Sequence, residues 1–237
     1  MALVTLHSPR TKRQLAALEC ATATEIIEWA LDTYGTTLCV TTSFADTVLV
    51  HLATQVNPDI EVLFLDTGYH FPETLDTMRT AMARYQLRLR VVRPEDYPHP
   101  TPLPHVWADD TTTCCEARKV RPLNEAMTDG GFEAWLSGLR RADSPERRNA
   151  PIVDTDRTGR TKINPLANWT DDAVAQYISR HDLLVNPLLN LGYDSVGCWP
   201  CTEPGAGRTG RWSDDSKTEC GLHLTSDGKL RPGTGAP

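Results

Sequence analysis

Four of the seven cysteines stand in two close pairs, and these pairs are the first residues in the chain whose spacing suggests chemistry. Cys114 and Cys115 are neighbours, whereas Cys198 and Cys201 form the sequence Cys-Trp-Pro-Cys. A single Cys-x-x-Cys pair is compatible with zinc, with a redox dithiol, or with two ligands of an iron–sulfur cluster. Adjacent cysteines cannot easily place both sulfurs on one tetrahedral ion, but the separate irons of a cubane can each take one. The spacing favours an iron–sulfur centre and leaves zinc or unliganded thiols as alternatives.

The other three cysteines fall into two kinds of surroundings. Cys220 lies in the polar, glycine-containing sequence Lys-Thr-Glu-Cys-Gly-Leu-His, where Lys217 and His223 could lower the pKa of its thiol. A thiolate in such a place is a nucleophile, and the alternative is an ordinary free surface cysteine. Cys20 and Cys39 lie in apolar segments of regular spacing, which predicts that both are buried packing residues.

Two polar loops and two arginine pairs could bind an anion. The loops at 41–46 and 65–68 each follow a predicted strand, at the end where nucleotides bind to parallel sheets. Arginine forks match phosphate and sulfate oxygens, and the candidates are Arg140, Arg141, Arg208 and Arg211. The segment 144–160 is polar and predicts an exposed mobile loop, so its arginines are assigned to a solvated surface: Arg147, Arg148, Arg157 and Arg160.

The segments that must position these residues alternate between strand and helix patterns. Helical periodicity covers 19–34, 46–53 and a segment opened by Pro72, with apolar strand-like runs at 36–42, 61–65 and 87–92. This order predicts an α/β fold, a parallel sheet covered by helices on both faces. A further helix is predicted within 114–127, a strand within 133–139, and a helix capped by Thr170. We divide the chain into an N-terminal helical segment (1–35), an α/β nucleotide-binding core (36–195) and a loop-rich, mobile C-terminal segment (196–237).

Composition excludes several classes of protein. The chain has 237 residues, 40% of them hydrophobic, and a net charge of −7, which argues against a nucleic-acid binder that works through its overall charge. No apolar run approaches the roughly 18 residues of a membrane span, and no signal peptide is apparent. We therefore expect a cytoplasmic protein without membrane or nucleic-acid partners, in which clustered cysteines indicate metal binding or catalysis rather than disulfides.

Six motifs together resemble the adenosine phosphosulfate reductase family, within the wider PP-loop (adenine nucleotide alpha-hydrolase-like) fold. They run in the family's order over about residues 38–224. The motifs are Leu65-Asp66-Thr67-Gly68-Tyr69-His70-Phe71-Pro72-Glu73-Thr74, Cys114-Cys115-Glu116-Ala117-Arg118-Lys119, Gly138-Leu139-Arg140-Arg141, Cys198-Trp199-Pro200-Cys201, Arg208-Thr209-Gly210-Arg211-Trp212 and Glu219-Cys220-Gly221-Leu222-His223.

The resemblance implies a role for each candidate residue. A [4Fe–4S] cluster would be held by Cys114, Cys115, Cys198 and Cys201, with Lys119 near both cluster and substrate. The nucleotide would be lined by Ser43, Thr67, Gly68 and Arg140. The phosphosulfate would face Arg208, Arg211 and His223. In this family the cluster is thought to tune local electrostatics rather than to pass electrons to the substrate.

The resemblance also implies a reaction and a partner. Cys220 would attack the sulfur of adenosine 5'-phosphosulfate, release AMP and carry an S-sulfo group, which reduced thioredoxin would resolve in a transient encounter. Three other interpretations remain: a reductase for the 3'-phosphorylated nucleotide, a PP-loop adenylating enzyme with structural zinc, and a non-enzymatic zinc-stabilised interaction module. The first polar loop lacks the glycine and lysine of the ATP-pyrophosphatase signature, which weakens the adenylating interpretation.

Overall fold

The computed structural model describes residues 15–97, 110–212, 217, 219, 221 and 222. Its α-helices are α1 Ala23–Tyr34, α2 Val48–Val56, α3 Pro72–Arg84, α4 Thr111–Cys115, α5 Arg121–Asp129 and α6 Asp171–His181. A π-helical turn, Glu116–Val120, joins α4 to α5. The strands are β1 Leu38–Thr42, β2 Glu61–Leu65, β3 Arg88–Val92, β4 Ala134–Leu136, β5 Val153–Thr155 and β6 Thr161–Ile163.

The helices begin where capping chemistry predicts. Thr22 and Glu25 form a capping box at the start of α1, and Gly35 at φ 53° follows its end. Pro72 occupies the first turn of α3, where its missing N–H costs no hydrogen bond. Thr170 accepts the N–H of Ala173 and caps α6, as its sequence predicts.

Six strands form one sheet in the order β3-β2-β1-β4-β6-β5. Every neighbouring pair is parallel except the edge pair β5 and β6, which is antiparallel. Val40 of β1 is in register with Val62 of β2 and Leu136 of β4. The predicted α/β fold with a parallel sheet is therefore confirmed, with one antiparallel strand at its edge.

Helices cover the sheet on both faces because side chains alternate along each strand. On one face, Val40 packs in a cluster with Ile27 of α1 and Val50 of α2. On the other face, Cys39 packs with Leu123 and Met127 of α5. The predicted burial of Cys39 is thus confirmed, whereas Cys20 is exposed because it lies in the turn before α1. None of the described helices is long and apolar enough to cross a membrane.

The segment 144–160 is not the exposed loop that its polar composition predicts. It contains the short helical turn Pro145–Arg147 and the strand β5, and the turn 156–160 leads into β6. Arg147 is buried and Arg160 half-buried, whereas Arg148 and Arg157 are exposed as predicted. The error arose because three-residue strands carry too little periodicity to outweigh a run of charged residues.

Candidate active site

A cavity of about 660 Å³ opens at the carboxyl ends of β1, β2 and β4. Parallel strands present successive loops at the same edge of a sheet, which is why the two polar loops predicted from sequence meet here. Six of the predicted substrate-binding residues line this cavity: Ser43, Thr67, Lys119, Arg140, Arg208 and Arg211. Gly68 does not line the cavity but follows Thr67 directly, with φ 76°. Cys220 and His223 lie outside the described residues.

The loop after β1 exposes Ser43 through a turn centred on Phe44. Phe44 adopts φ 53°, which is unusual for an aromatic residue, and its ring is fully buried against Phe64 with centroids 5.4 Å apart. Its N–H donates to the Thr42 hydroxyl at 3.1 Å. Burial of the ring holds the strained backbone, so Ser43 is exposed on the cavity side of the turn.

The loop after β2 is held by an arginine that the sequence did not single out. Arg118, only 6% exposed, donates from Nη1 to the carbonyl oxygen of Thr67 at 3.0 Å and stacks 4.5 Å from the ring centroid of Tyr69. The N–H of Gly68 donates to the Asp66 carboxylate at 3.1 Å. Arg118 follows Cys115 by three residues in one helical segment, so it couples this loop to the cysteine pair.

The four paired cysteines line one small pocket. Cys114 and Cys115 end α4 and are buried. Cys198 precedes the helical turn Trp199–Cys201, and Cys201 is the last residue of that turn. The Sγ of Cys198 lies 3.2 Å from Oγ1 of Thr67, and the N–H of Trp199 donates to the carbonyl oxygen of Tyr69 at 2.8 Å. The fold therefore brings together two cysteine pairs that are more than 80 residues apart in sequence.

The surroundings of the pocket shift the pKa values of its thiols in different directions. Burial raises the pKa of Cys114 and of Cys201, and the neighbouring sulfurs raise both further. Burial would also raise the pKa of Cys198, but the charge of Lys119 and a hydrogen bond with the Thr67 hydroxyl outweigh it and hold that pKa below its ordinary value. A lysine beside clustered thiols is a feature expected where thiolates must be stabilised.

The residues present fit an iron–sulfur cluster by the chemistry of their donors. All four candidate ligands are sulfurs around one buried space, and two of them are adjacent in sequence. Across 15–97, 110–212 and the four described tail positions, no group of three or more His, Cys, Asp or Glu side chains is placed to hold a single metal ion. Two of the four thiols belong to adjacent residues, and adjacent cysteines suit a cluster, whose irons are separate, better than one tetrahedral zinc ion.

Lys119 lines both the cysteine pocket and the large cavity. It is half-buried and belongs to the π-helical turn that follows the cysteine pair. Such turns often mark functional sites, because they rotate one side chain out of the regular helical sequence. The resemblance implies a lysine near both cluster and substrate; Lys119 lines the two spaces, and its role towards either group stays a prediction.

The candidate arginines of the first pair, Arg140 and Arg141, make different contacts. Arg140 binds Asp143 at 2.9 Å and Asp171 at 2.7 Å, so its charge is already paired at the cavity wall. Arg141 instead donates to the backbone at Ala150 and to the carboxylate of Glu19, and it does not line the cavity. The Arg141 side chain is therefore a structural tie rather than an anion ligand.

The second arginine pair surrounds Trp212. The guanidinium of Arg211 lies 4.6 Å from the Trp212 ring centroid and donates to Ser195 Oγ at 3.2 Å and to the Val196 carbonyl oxygen at 3.3 Å. Arg208 lies 5.7 Å from the same ring and donates to Glu219 at 3.3 Å. Both side chains are thereby oriented along the cavity wall.

Arg147, which the sequence assigned to the surface, is a buried part of this wall. It is 5% exposed and donates from Nε and Nη2 to the two carboxylate oxygens of Glu219 at 2.6 and 2.9 Å. Its Nη1 donates to Asp143 at 2.7 Å. Burial alone would lower the pKa of Arg147, but its hydrogen bonds and charge contacts with Glu219 and Asp143 raise it above its ordinary value. No local pattern distinguishes this arginine from Arg148; only the tertiary pairing with a carboxylate 72 residues away does.

His70 is a further cavity residue that sequence reasoning did not single out. Its Nε2 lies 2.7 Å from the carbonyl oxygen of Leu65, which can only accept, so Nε2 carries the proton. Burial lowers the pKa of His70 and favours the neutral ring. Its Nδ1 is a buried acceptor without a hydrogen-bond partner among the described residues. The position of His70 in the 65–74 motif was its only sequence signal.

Comparison with known proteins defines the fold and then the family. The crystal structure of phosphoadenylyl-sulfate (PAPS) reductase from Candida auris, a phosphate complex, matches 86% of this chain and 99% of that chain, with a TM-score of 0.73 and 28% identity. FMN adenylyltransferase from Candida glabrata matches 82% of this chain and 67% of that one, with a TM-score of 0.57 and 14% identity, a similarity of fold alone. The mostly parallel sheet and its flanking helices thus have the α/β fold of these two structures.

Sequence comparison is more specific. The phosphoadenosine phosphosulfate reductase domain matches residues 37–204. A protein named adenosine 5'-phosphosulfate reductase from Streptomyces coelicolor is 42% identical over 237 residues, which cover 93% of this chain and all of that protein. A protein of the same name from Mycobacterium tuberculosis is 43% identical over 241 residues, which cover 90% of this chain and 93% of that protein. The chain belongs to the phosphoadenosine phosphosulfate reductase family, whose members are oxidoreductases.

Proposed function

We propose that this enzyme reduces adenosine 5'-phosphosulfate to sulfite and AMP in sulfate assimilation, with Cys220 as the nucleophile. The observation that carries the proposal is the shared position of Lys119, which lines both the four-cysteine pocket and the cavity at the strand ends. A cation between a cavity lined by arginines and a set of thiols suits a reaction that transfers a sulfo group from a phosphosulfate to a thiol. Relatives 42–43% identical over most of the chain carry the name of this activity.

The nucleotide would lie across the ends of β1, β2 and β4. Ser43 and the loop carrying Thr67 supply polar groups for the nucleoside, and Arg208, Arg211 and Lys119 supply positive charge for the phosphosulfate. His70 offers a buried acceptor that an N–H or O–H group of the ligand could satisfy. Arg140 contributes through its ion pairs with Asp143 and Asp171, which hold the cavity wall.

The chemistry takes two steps. In the first, the Cys220 thiolate attacks the sulfur of the phosphosulfate. A bond forms between Sγ of Cys220 and this sulfur, and the bond from the sulfur to the phosphate oxygen breaks. AMP leaves with the electron pair of that bond, and Lys119 and the arginines stabilise the charge gathering on its phosphate. In the second, a thiolate of an external dithiol of the thioredoxin type attacks the Cys220 sulfur and releases sulfite. The second thiol of the dithiol then cleaves the mixed disulfide and releases the Cys220 thiolate. The dithiol is thereby oxidised to a disulfide and supplies both electrons.

The four paired cysteines are the proposed ligands of a [4Fe–4S] cluster. When bound, such a cluster would supply a charged centre next to Lys119 that tunes the field at the substrate. Iron and acid-labile sulfide analysis of anaerobically purified protein tests this assignment, and zinc without sulfide would contradict it. A reducing cytoplasm is the compartment we propose, since it keeps these cysteines as thiols.

The decisive experiment weighs the intact protein after incubation with adenosine 5'-phosphosulfate in the absence of reductant. We expect a gain of about 80 Da, the mass of one SO₃ group, that disappears in Cys220→Ser. No gain in wild-type protein with intact iron content would contradict the proposal for this nucleotide. A gain with the 3'-phosphorylated nucleotide alone would establish the second candidate, which the similarity to the Candida auris PAPS reductase favours.

A further inference from the structure

A buried ion pair connects the segment next to Cys220 to the cavity wall. Arg147 and Glu219 have side chains only 6% and 3% exposed, and both nitrogen–oxygen contacts of the two-pronged pair are shorter than 3 Å. The third arginine nitrogen, Nη1, binds Asp143, and Asp143 also binds Arg140. Arg208 binds the second oxygen of Glu219 from the other side. The carboxylate of Glu219 therefore lies between two guanidinium groups.

The geometry points to Arg147 and Glu219 as positioning residues for the nucleophile, an inference that rests on the proposed function. Glu219 directly precedes Cys220 in sequence, so the two Cα atoms are about 3.8 Å apart whatever the conformation of the rest of the tail. The Arg147 guanidinium binds both carboxylate oxygens of Glu219 and so fixes the orientation of that group, which leaves little freedom to the backbone that carries it. The pair thus holds Glu219, the residue that precedes the proposed nucleophile, at the wall of the cavity that Arg147 and Glu219 both line.

The physical argument distinguishes this role from simple stabilisation. A nucleophile held near its target reacts as if at very high concentration, and a displacement of about 1 Å can cost roughly 10²-fold in rate. An ion pair buried only for stability would be replaceable by apolar groups. Here four charged groups lie at the wall of the proposed substrate cavity and are fixed to one another: Arg140, Asp143, Arg147 and Glu219.

The test measures the single-turnover rate at which the S-sulfo group forms, as a function of nucleotide concentration. In Glu219→Gln, which keeps the shape of the side chain, we expect the rate at saturating nucleotide to fall about 10²-fold, while the nucleotide dissociation constant changes less than about threefold. Arg147→Gln should behave alike, and the double variant should be about as slow as either single variant because the pair acts as one unit. An unchanged saturated rate, or effects that multiply in the double variant, would overturn the inference.

Two matched controls and a second readout make the result decisive. Arg148→Gln and Glu203→Gln remove exposed charges of the same two kinds, the first from the residue next to Arg147, and both should react like wild type. Hydrogen exchange of the 217–222 peptide should accelerate in Glu219→Gln and Arg147→Gln but not in these controls; equal exchange in all five proteins would count against the inference. If Arg147→Gln fails to fold, Arg147→Lys keeps the charge, loses the two-pronged contact and takes its place. Wild-type protein that forms no adduct would refute the proposed function, and the exchange data would still decide the positioning role.

Discussion

The hydroxyl oxygen of Thr67 lies 3.2 Å from the sulfur of Cys198, and this contact joins the loop after β2 to the cysteine pocket. Thr67 is 1% exposed, so no water competes for the contact. Its carbonyl oxygen is held by Arg118, three residues beyond Cys115. One threonine therefore connects, through its side chain and its backbone, to both cysteine pairs.

Thr67→Val removes this hydroxyl and keeps the shape of the side chain. Hydrogen bonds to ligand sulfurs orient and tune a metal centre, and their loss commonly costs 10–100-fold in metal affinity. If the four paired cysteines hold the proposed [4Fe–4S] cluster, we expect iron to leave Thr67→Val about ten times faster than wild type under an anaerobic chelator, followed by visible absorbance. The control is Thr77→Val, which removes another buried hydroxyl that donates within α3. Equal rates of iron loss in both variants would contradict a role for the contact.

Lys119→Met removes the positive charge shared by the cavity and the cysteine pocket. If the lysine stabilises charge that develops on the leaving phosphate, formation of the S-sulfo group should slow about 10²- to 10³-fold. Lys119→Arg keeps the charge but not its position, and we expect an intermediate rate. The measurement is single-turnover mass analysis at saturating nucleotide. A rate for Lys119→Met within a factor of two of wild type, at equal iron content, would refute this role.

The sheet and its central helices were predictable because their signals are local. Strands β1, β2 and β3 are five-residue runs with clear apolar character, and α1 and α3 carry a capping box and an N-terminal proline. The meeting of the strand-end loops then follows from the rules for parallel sheets.

The missed parts of the site depend on tertiary contacts. Arg147 and Arg148 are adjacent and chemically identical, yet one is buried against Glu219 and the other is exposed. Arg118 was passed over in the same way, because its role comes from the Thr67 carbonyl oxygen 51 residues away. Cys20 shows the opposite error, since apolar neighbours did not ensure burial. Sequence periodicity reports which face of an element is apolar but not which distant charge will pair with a given arginine.

Gly197→Ala should disturb the cavity without replacing any charged residue. A methyl group at Gly197 would lie 2.2 Å from Nη2 and 2.5 Å from the central carbon of the Arg211 guanidinium. That guanidinium is the far end of a flexible side chain, so it can move, and we expect the variant to fold normally. Displacement of Arg211 should weaken nucleotide binding about as much as Arg211→Gln, by roughly 10-fold for a lost charge-assisted contact.

Titration calorimetry with AMP and with the substrate nucleotide separates the possible outcomes. Because Arg211 is proposed to face the phosphosulfate, the loss should be larger for adenosine 5'-phosphosulfate than for AMP. Wild-type affinity for both ligands in Gly197→Ala would show that the position of Arg211 does not matter for binding.

A histidine far from the cysteines should make stability depend on pH. His51 of α2 is half-buried, its Nδ1 lies 2.9 Å from the Tyr177 hydroxyl, and its ring centroid is 5.1 Å from that of His181. Burial lowers the pKa of His51 below 6.5, and the charges of His181 and Arg84 lower it further. Between that lowered value and pH 6.5, the unfolded chain binds more protons at this position than the folded chain does. The free energy of unfolding should therefore fall as the pH falls through 6.5.

His51→Phe keeps a ring at this position and removes the titration. Urea unfolding at about pH 7.5 and about pH 5.5 should show a smaller loss of stability on acidification in the variant than in wild type, even though loss of the Tyr177 contact lowers its stability at both values. His181→Asn removes the neighbouring charge together with the ring contacts of His181 with His51 and Tyr177, and it should give an intermediate pH dependence, because burial, the larger cause, remains. Equal pH dependence in wild type and His51→Phe would show that His51 titrates alike in the folded and unfolded chain.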